Sequence, residues 1–357
     1  MSVPSEMIAA VLHAPGDLRV ERVPVPEPAE GQVLVQVGAC GVCGSDLPRV
    51  LTKGTYSFPL IPGHEFSGTI AALGPRVRGW REGERVAVFP LIPCRQCEMC
   101  SVHWYEMCES YDYLGSRSNG AFAEYVVAPA WNLLRVPKGV SLDSAAMTEP
   151  AAVARHAVER VGVVPEDSVA VFGAGPIGVM VAQWVAAMDA CPIFLVDVRA
   201  DRLDASRFIT MANELNAAEV DVVEEIRRQN DGAGVDLAVE AAGVPETVAQ
   251  CIRATVQGGD IVLLGNPSRD VTIPLADVSL ILRKQLDLHG TWNSSFRGDP
   301  GIEDDWTAAL DAMAQGHLVL DSLVTHRYGF EQANEAFAMM AAGREFYNKV
   351  LFTGGAT

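Results

Sequence analysis

The sequence lacks an excess of basic residues. Its 357 residues include 27 lysines and arginines against 45 aspartates and glutamates, a formal net charge of −18 at pH 7. A surface of this sign repels polyphosphate backbones and anionic lipid head groups. We therefore expect neither a nucleic-acid partner nor a membrane partner.

The sequence also lacks a long apolar run and a secretion signal. The longest apolar stretch, from Ile177 to Met188, is interrupted by Gln183 and is too short to cross a bilayer. The residues from Met1 to Glu6 have neither the basic nor the apolar region of a signal peptide. We therefore expect a cytoplasmic protein.

Cysteine is sparse outside one cluster. Four of the eight cysteines fall within fifteen residues: Cys94, Cys97, Cys100 and Cys108. In a long chain from a reducing compartment, this spacing indicates a metal site rather than disulfides. Four thiolates close a tetrahedral shell around zinc and leave no position for substrate, so the predicted zinc is structural. An iron–sulfur cluster is the alternative. The remaining cysteines include Cys191 and Cys251, which are predicted to be core thiols.

The length and patterning of the chain predict an α/β protein with two cores. A single core stops growing at roughly 250 to 300 residues. The first third alternates short strands, such as 33–37 and 85–89, with prolines and glycines, which indicates a β-rich domain. From Ser168 onward, apolar strands alternate with amphipathic helices, as in a parallel, doubly wound sheet. We predict a β-rich catalytic domain over residues 1–155, a Rossmann domain over 156–294, and a segment 295–357 that returns to the first domain.

Apolar runs mark the individual strands of the predicted parallel sheet. They lie at 169–172, 193–196, 237–240, 261–264 and 286–289, and a terminal strand is predicted at 349–352. An alanine-rich helix is predicted near Asp143, with an interruption at Pro150.

A glycine pattern directly after the strand at 169–172 predicts a dinucleotide site. Such glycines allow a tight turn, a close approach of the pyrophosphate and close helix packing, while helix amides receive the phosphates. Asp197 ends the next strand and is placed to bind the ribose hydroxyls, so NAD is predicted over NADP, although Arg199 and Arg202 leave room for a 2′-phosphate. The predicted cofactor-binding residues are Gly173, Gly175, Pro176, Ile177, Gly178, Asp197 and Arg202.

A second set of residues has the chemistry of a catalytic zinc site. Such a site needs three protein ligands and an open position. Cys43 supplies a thiolate and His64, followed by Glu65, supplies an imidazole. The carboxylate is either Glu149 or Glu65, because sequence spacing alone does not join residues this far apart.

Together these motifs resemble the zinc-containing medium-chain dehydrogenase/reductase family over essentially the whole chain. The match comprises Gly-His-Glu-x-x-Gly at 63–68, the four-cysteine lobe at 94–108, Glu-Pro at 149–150 and the glycine pattern at 173–178. Within the family the chain is most similar to the polyol branch, that of sorbitol dehydrogenase. Segments 43–49, 115–117, 121–125, 242–245 and 282–284 resemble the galactitol-1-phosphate 5-dehydrogenases of that branch.

The resemblance implies a GroES-like fold for the catalytic domain and an active site in the cleft beside the Rossmann domain. It implies a catalytic zinc held by Cys43, His64 and Glu149, with Glu65 as an adjacent or exchanging ligand and the four clustered cysteines around a second zinc. Zinc lowers the pKa of a bound hydroxyl, and hydride then leaves toward the nicotinamide. Ser45 is implied to pass on the substrate proton.

One position departs from the family pattern. Many relatives have a histidine five residues after the cysteine ligand, where this chain has Pro48. The next residue, Arg49, cannot act as a base near neutral pH. The outward proton route of such relatives is therefore not retained in its usual form.

The predicted reaction is oxidation of a secondary hydroxyl of a polyol or polyol phosphate to the ketose. Butanediol, threonine or another small secondary alcohol is the alternative substrate. A nucleotide-binding protein without turnover is the alternative function, against which the retained Cys43, Ser45, His64 and Glu149 argue. A homodimer or homotetramer is expected.

Two further groups bear on the substrate. Arg49, Lys53 and Arg117 are candidates for gripping a phosphate, although exposed basic residues are usually just solvated. The aromatic residues Tyr56, Phe58 and Trp292 are assigned to the core, which is the default for aromatics, rather than to a substrate pocket.

Overall fold

Two large sheets organise the chain. The computed structural model describes residues 3–207, 209–298 and 301–354. One compact unit comprises Met1–Glu149, Ser295–Gln315 and Leu320–Thr357, and the other comprises Pro150–Ser294 and Gly316–Val319. Within the described ranges, no helix is both long and apolar enough to cross a membrane.

The first unit begins with short strands that alternate buried apolar and more exposed residues. They are β1 (Glu6–Ala14), β2 (Asp17–Pro24), β3 (Gln32–Gly41), β4 (Glu65–Leu73), β5 (Arg85–Val88), β6 (Leu91–Ile92), β7 (Asp112–Tyr113), β8 (Tyr125–Pro129) and β9 (Leu133–Arg135). Its helices are brief: α1 (Asp46–Pro48), a π-helical turn at Arg49–Lys53, α2 (Glu98–Ser101), 3-10 turns at Tyr105–Met107 and Ala130–Asn132, and α3 (Leu142–Ala146). Most functional residues of this unit therefore lie on loops held by strands.

The second unit is a six-stranded parallel sheet with helices. After α4 (Thr148–Glu159), its elements are β10 (Val169–Phe172), α5 (Pro176–Ala187), β11 (Ile193–Asp197), α6 (Ala200–Ser206), β12 (Asn213–Asn216), α7 (Val222–Gln229), β13 (Val235–Glu240), α8 (Pro245–Ala254), β14 (Thr255–Leu263), α9 (Leu275–Lys284) and β15 (Asp287–Gly290). The strand order is β12-β11-β10-β13-β14-β15, with parallel pairing throughout. The order reverses beside β10, which is where doubly wound sheets bind ligands. The predicted α/β class is confirmed.

The last part of the chain contributes mainly to the first unit. It contains α10 (Asp305–Gln315), a 3-10 turn at Asp321–Leu323, β16 (Val324–Tyr328), a 3-10 turn at Phe330–Gln332, α11 (Ala333–Ala342) and β17 (Lys349–Thr353). β17 joins the sheet β16-β17-β3-β4-β5-β9, in which Leu351 pairs with Gly41. Phe352 then packs edge-on against Phe122 in the core, with ring centroids 4.9 Å apart. The assignment of separate functions to residues 1–155, 156–294 and 295–357 stays a prediction.

Several predictions of local structure are wrong. Pro150 does not interrupt a helix, because it lies in the first turn of α4, where no intrahelical N–H is needed. Cys191 is exposed, since it lies in the connection between α5 and β11, whereas Cys251 is buried as predicted. The aromatics assigned to the core are instead exposed, by 72% for Tyr56, 41% for Phe58 and 61% for Trp292.

Candidate metal centres and cofactor loop

The pairing of β3 with β4 brings the two distant halves of the catalytic motif together. In this antiparallel pair Gly41 lies opposite Glu65. Cys43 follows the end of β3 and His64 directly precedes β4, so both lie at the same end of the pair. One donor atom from each of Cys43, His64 and Glu65 lies within 4.8 Å of the others. Thiolate, imidazole and carboxylate are the donor types that zinc binds.

Glu149 is the second carboxylate of this site. It is buried in the first turn of α4, and its Oε1 accepts a hydrogen bond of 3.1 Å from the hydroxyl of Tyr113. Burial, together with the charge of Glu65, raises the pKa of Glu149 to about 7, against the opposing effect of His64. The structure does not bring a donor atom of Glu149 into the 4.8 Å cluster that Glu65 forms with Cys43 and His64, so the role of Glu149 as third ligand stays a prediction.

His64 is buried and lies against the carboxylate of Asp46. Its Nδ1 is 3.6 Å from Asp46 Oδ1 and has no hydrogen-bond partner among the described residues. Burial disfavours the imidazolium, but Asp46 and Cys43 outweigh it and raise the pKa of His64 to about 10. A metal ligand must be neutral imidazole, so a divalent cation here takes the place of a proton. The sulfur of Cys43 and the carboxylates around the imidazole fit a cation.

Glu65 is held by Lys349, a residue that the sequence patterns did not mark as functional. The two side chains form an ion pair in which they are 2% and 4% exposed. Burial lowers the pKa of Lys349, yet the charge of Glu65 prevails and the net shift is upward. Lys349 therefore competes with a metal ion for Glu65. Its only sequence signal is a charge at the start of the apolar run Val350-Leu351-Phe352.

Ser45 and its neighbours lie on the loop after Cys43. Ser45 is exposed and precedes α1, and its side chain makes no capping hydrogen bond to that helix. Its hydroxyl is thus not engaged by α1. Pro48 ends α1, and the guanidinium of Arg49 donates to Asp46. Asp46 therefore links Arg49 to His64, a role that sequence reasoning missed.

The four clustered cysteines converge as predicted from their spacing. Cys97 opens α2, and the turn at Tyr105–Met107 brings Cys108 back. The sulfurs of Cys94 and Cys100 are 3.9 Å apart, as are those of Cys97 and Cys108, and all four lie within 4.8 Å of one another. Tetrahedral sulfurs at a Zn–S distance of about 2.3 Å stand about 3.8 Å apart. The arrangement fits a closed zinc shell.

Local hydrogen bonds favour thiolates on one side of this cluster. The amides of Gln96 and Cys97 lower the pKa of Cys94 to about 6. Burial raises the pKa of Cys100 to about 12. A bound dication favours the thiolate at every position, so the two sides need not differ once the metal is present.

In the second unit, the glycine loop joins β10 to α5 as the dinucleotide pattern requires. Gly173 has φ +115°, and a Cβ there would approach the amide of Ala242 to 2.8 Å, so only glycine fits. Gly175 caps α5, Pro176 occupies its first turn, and Ile177 and Gly178 follow in the same helix. The free amides of this helix start are the usual receptor for phosphates.

Asp197 faces the glycine loop from the end of β11. Its Oδ2 accepts from the amide of Ala174 at 2.8 Å, and Arg202 Nη1 lies 3.4 Å from the same oxygen. The carboxylate is therefore fixed beside the loop, and Arg202 partly offsets its charge. The cofactor-binding roles of Gly173, Gly175, Pro176, Ile177, Gly178, Asp197 and Arg202 stay predictions.

Comparison with known proteins places these features in one family. Residues 29–138 match the alcohol dehydrogenase GroES-like domain, and residues 176–315 match the zinc-binding dehydrogenase family. The chain is 33% identical to sorbitol dehydrogenase of Bacillus subtilis strain 168, over 98% of this chain and 97% of the relative. This chain belongs to the zinc-containing medium-chain dehydrogenase/reductase family.

Two further comparisons refine the position of this zinc-dependent dehydrogenase. Galactitol 1-phosphate 5-dehydrogenase of Escherichia coli K12 is 32% identical over 92% of this chain and 95% of the relative. The crystal structure of galactitol-1-phosphate dehydrogenase from Escherichia coli superposes with a TM-score of 0.89 at 31% identity, over 98% of this chain and all of that one. The predicted enzyme class, a zinc alcohol or polyol dehydrogenase of the polyol branch, is confirmed.

Proposed function

We propose that this dehydrogenase oxidises a secondary hydroxyl of a polyol or polyol phosphate to the ketose, with NAD as the hydride acceptor. The observation that carries the proposal is the convergence of Cys43, His64 and Glu65 at one end of the β3–β4 pair. Relatives named for sorbitol and for galactitol 1-phosphate support the substrate class at 33% and 32% identity. So small a difference does not choose between a free and a phosphorylated polyol.

In this proposal Cys43, His64 and Glu149 hold the catalytic zinc, and Glu65 is the exchanging ligand. When bound, zinc acts as a Lewis acid that makes a substrate hydroxyl easier to deprotonate. Ser45 relays the substrate proton, taking it up as its own hydroxyl proton passes to solvent, because this exposed hydroxyl follows Cys43 by two residues and is not engaged by α1. Asp46 orients the imidazole of His64, and Lys349 retains Glu65 while it is off the metal.

The cofactor role falls to the second unit. The helix start at Gly175 and Pro176 receives the pyrophosphate, and Asp197 binds the ribose hydroxyls. A buried carboxylate at this point disfavours a 2′-phosphate, which supports NAD. Residues 1–155 and 295–357 then serve as the catalytic domain and 156–294 as the cofactor domain, in a cytoplasmic enzyme.

We also propose that the enzyme is a homodimer or homotetramer. β15 lies at the end of the parallel sheet, and Leu288 on it is 38% exposed. An edge strand offers backbone groups for pairing with another chain. Sedimentation equilibrium of the zinc-loaded protein tests this, and a monomer at micromolar concentration rejects it.

The test of function is an NAD reduction assay with zinc-loaded protein. The substrates are galactitol 1-phosphate, galactitol, sorbitol, xylitol, arabinitol and butanediol. We expect NADH formation with at least one polyol or polyol phosphate at a higher kcat/KM than with butanediol. Turnover of butanediol alone supports the alternative substrate class, and no turnover with any compound rejects the proposal.

A further inference from the structure

The three cations suggested as phosphate ligands differ sharply in their surroundings. Arg49 is already paired with the fully buried Asp46. Lys53 is exposed at the end of a π-helical turn, where a solvated charge contributes little to binding. Arg117 is partly buried and has neither of these arrangements. Of these three cations, Arg117 alone has surroundings that suit the binding of an anion.

Arg117 is held by two aromatic rings. Its Cζ lies 4.3 Å from the ring centroid of Tyr56 and 4.3 Å from that of Tyr111. Stacking of this kind fixes the plane of a guanidinium without using its N–H donors. The donors therefore remain available in a fixed orientation. Ordering the side chain in advance also lowers the entropy lost when a ligand binds.

The donors of Arg117 are not satisfied within the described part of the chain. No carboxylate there forms an ion pair with it, and its Nε is buried without a hydrogen-bond partner. Ser118 Oγ, in the same turn, is also buried and unpartnered. Buried polar groups of this kind are rare and need a partner. A planar guanidinium is best completed by an anion that accepts two hydrogen bonds.

The turn that carries Arg117 is anchored to the metal-ligand segment. Gly115 has φ +84° and packs so closely on the backbone of Gly63 that a Cβ would collide with it. Tyr113 packs edge-on against His64 at 5.8 Å, and Tyr111 packs against Tyr113 at 6.2 Å. Arg117 is thus separated from a zinc ligand by two aromatic rings. The cation therefore belongs to the same network of side-chain contacts as the metal-ligand segment.

We propose that Arg117, held by Tyr56 and Tyr111, binds the phosphate monoester at the far end of an open-chain polyol substrate. The inference rests on the proposed function, because it assumes that the reacting hydroxyl lies at the Cys43–His64 site. It adds to that function a specificity-determining residue and the phosphorylated form of the substrate.

The test compares galactitol 1-phosphate with galactitol in zinc-loaded wild type and Arg117→Gln. We expect wild type to prefer the phosphate, and Arg117→Gln to lower kcat/KM for the phosphate by ~10- to 100-fold, the loss of charge-assisted hydrogen bonds. The kcat/KM for galactitol should change by less than about twofold, since that substrate lacks the anion. Tyr56→Ala should lower only the phosphate value, by ~3-fold or more, because one stacking ring is lost. The matched control is Arg78→Gln, which removes an exposed arginine and should leave both values unchanged.

A second measurement uses inhibition of galactitol oxidation by glycerol 3-phosphate and by gluconate. We expect glycerol 3-phosphate to compete with galactitol in wild type and its inhibition constant to rise in Arg117→Gln. Stronger competition by gluconate, lost in the variant, overturns the phosphate assignment in favour of a carboxylate.

The remaining outcomes separate the inference from the proposed function. An equal loss for both substrates in Arg117→Gln assigns the residue a structural role and overturns the inference. Oxidation of galactitol without preference for its phosphate also overturns it, while the proposed function stands. Failure to oxidise any polyol rejects the proposed function, and the inference falls with it.

Discussion

At the scale of single residues, the Glu65–Lys349 ion pair is the part of the site that a single substitution should disrupt most. Both side chains are almost fully excluded from solvent. Removing one partner of a buried ion pair leaves an uncompensated charge, which costs more than the pair itself contributes. Lys349 begins β17 and Glu65 begins β4 next to His64, so the pair links these two strands.

We predict that Lys349→Met lowers the free energy of unfolding by about 3 to 5 kcal/mol, the usual cost of breaking such a pair. Urea denaturation of zinc-loaded protein measures the change. The double variant with Glu65→Leu should recover most of the loss, because neither partner of the pair then remains buried without the other. The control is Lys138→Met, which removes an exposed lysine and should cost less than about 0.5 kcal/mol. A Lys349→Met protein as stable as this control contradicts the prediction.

Residues of this kind explain what sequence reasoning missed at the site. Cys43 and His64 belong to recognisable motifs, whereas Asp46, Tyr113 and Lys349 act through contacts made only in the folded chain. Lys349 is more than 280 positions from Glu65 in a sequence of 357 residues. Composition does not reveal such a pair, because β17 must first add to the sheet.

At the scale of elements, the four-cysteine lobe has little other than its cysteines to hold it. Its helix α2 spans four residues, and its other turn spans three. Elements this short have no core of their own. Arg95 over Trp131, at 4.4 Å, and the bond from Arg297 to His103 fasten the lobe to its own unit. We expect a metal at the four sulfurs to supply the remaining stability of the lobe.

We predict that Cys97→Ser lowers the zinc content from two ions per chain to one. The lobe should then unfold locally more often. The rate of trypsin cleavage after Arg95 should therefore rise by ~10-fold or more. Elemental analysis and limited proteolysis measure the two effects. Cys191→Ser, which changes an exposed cysteine outside both clusters, should keep both ions. Iron in place of zinc in the wild type would support the iron–sulfur alternative.

A strand that is buried on both faces is the kind whose limits the sequence predicts most accurately. β10 is apolar at every position and is bounded by glycine, so its limits agree with the predicted 169–172. β14 instead begins at Thr255 rather than 261, because Gln257, Gly258 and Gly259 give its first half no apolar signal. β16 was not predicted, since its alternating polar residues, Thr325 and Arg327 among them, resemble a loop.

At the scale of the whole molecule, metal and cofactor residues belong to different units. All proposed zinc ligands lie in the first unit, and the glycine loop with Asp197 lies in the second. Each set is positioned by its own sheet: the β3–β4 pair in one case and β10 with β11 in the other. The two binding functions should therefore be separable by single substitutions.

We predict that Cys43→Ser lowers the rate of polyol oxidation by ~10³-fold or more, because a Lewis acid contributes several kcal/mol to such a reaction. The Kd for NADH, measured by fluorescence, should change by less than about twofold, and one zinc per chain should remain at the four cysteines. The reciprocal variant Asp197→Ala should weaken NADH by ~10-fold, the loss of hydrogen bonds to a charged group, while both zinc ions stay bound. If Cys43→Ser weakens NADH as much as Asp197→Ala does, the ligands in the first unit and the loop in the second are coupled. The prediction that the first unit binds the metal and the second unit binds the cofactor independently is then wrong.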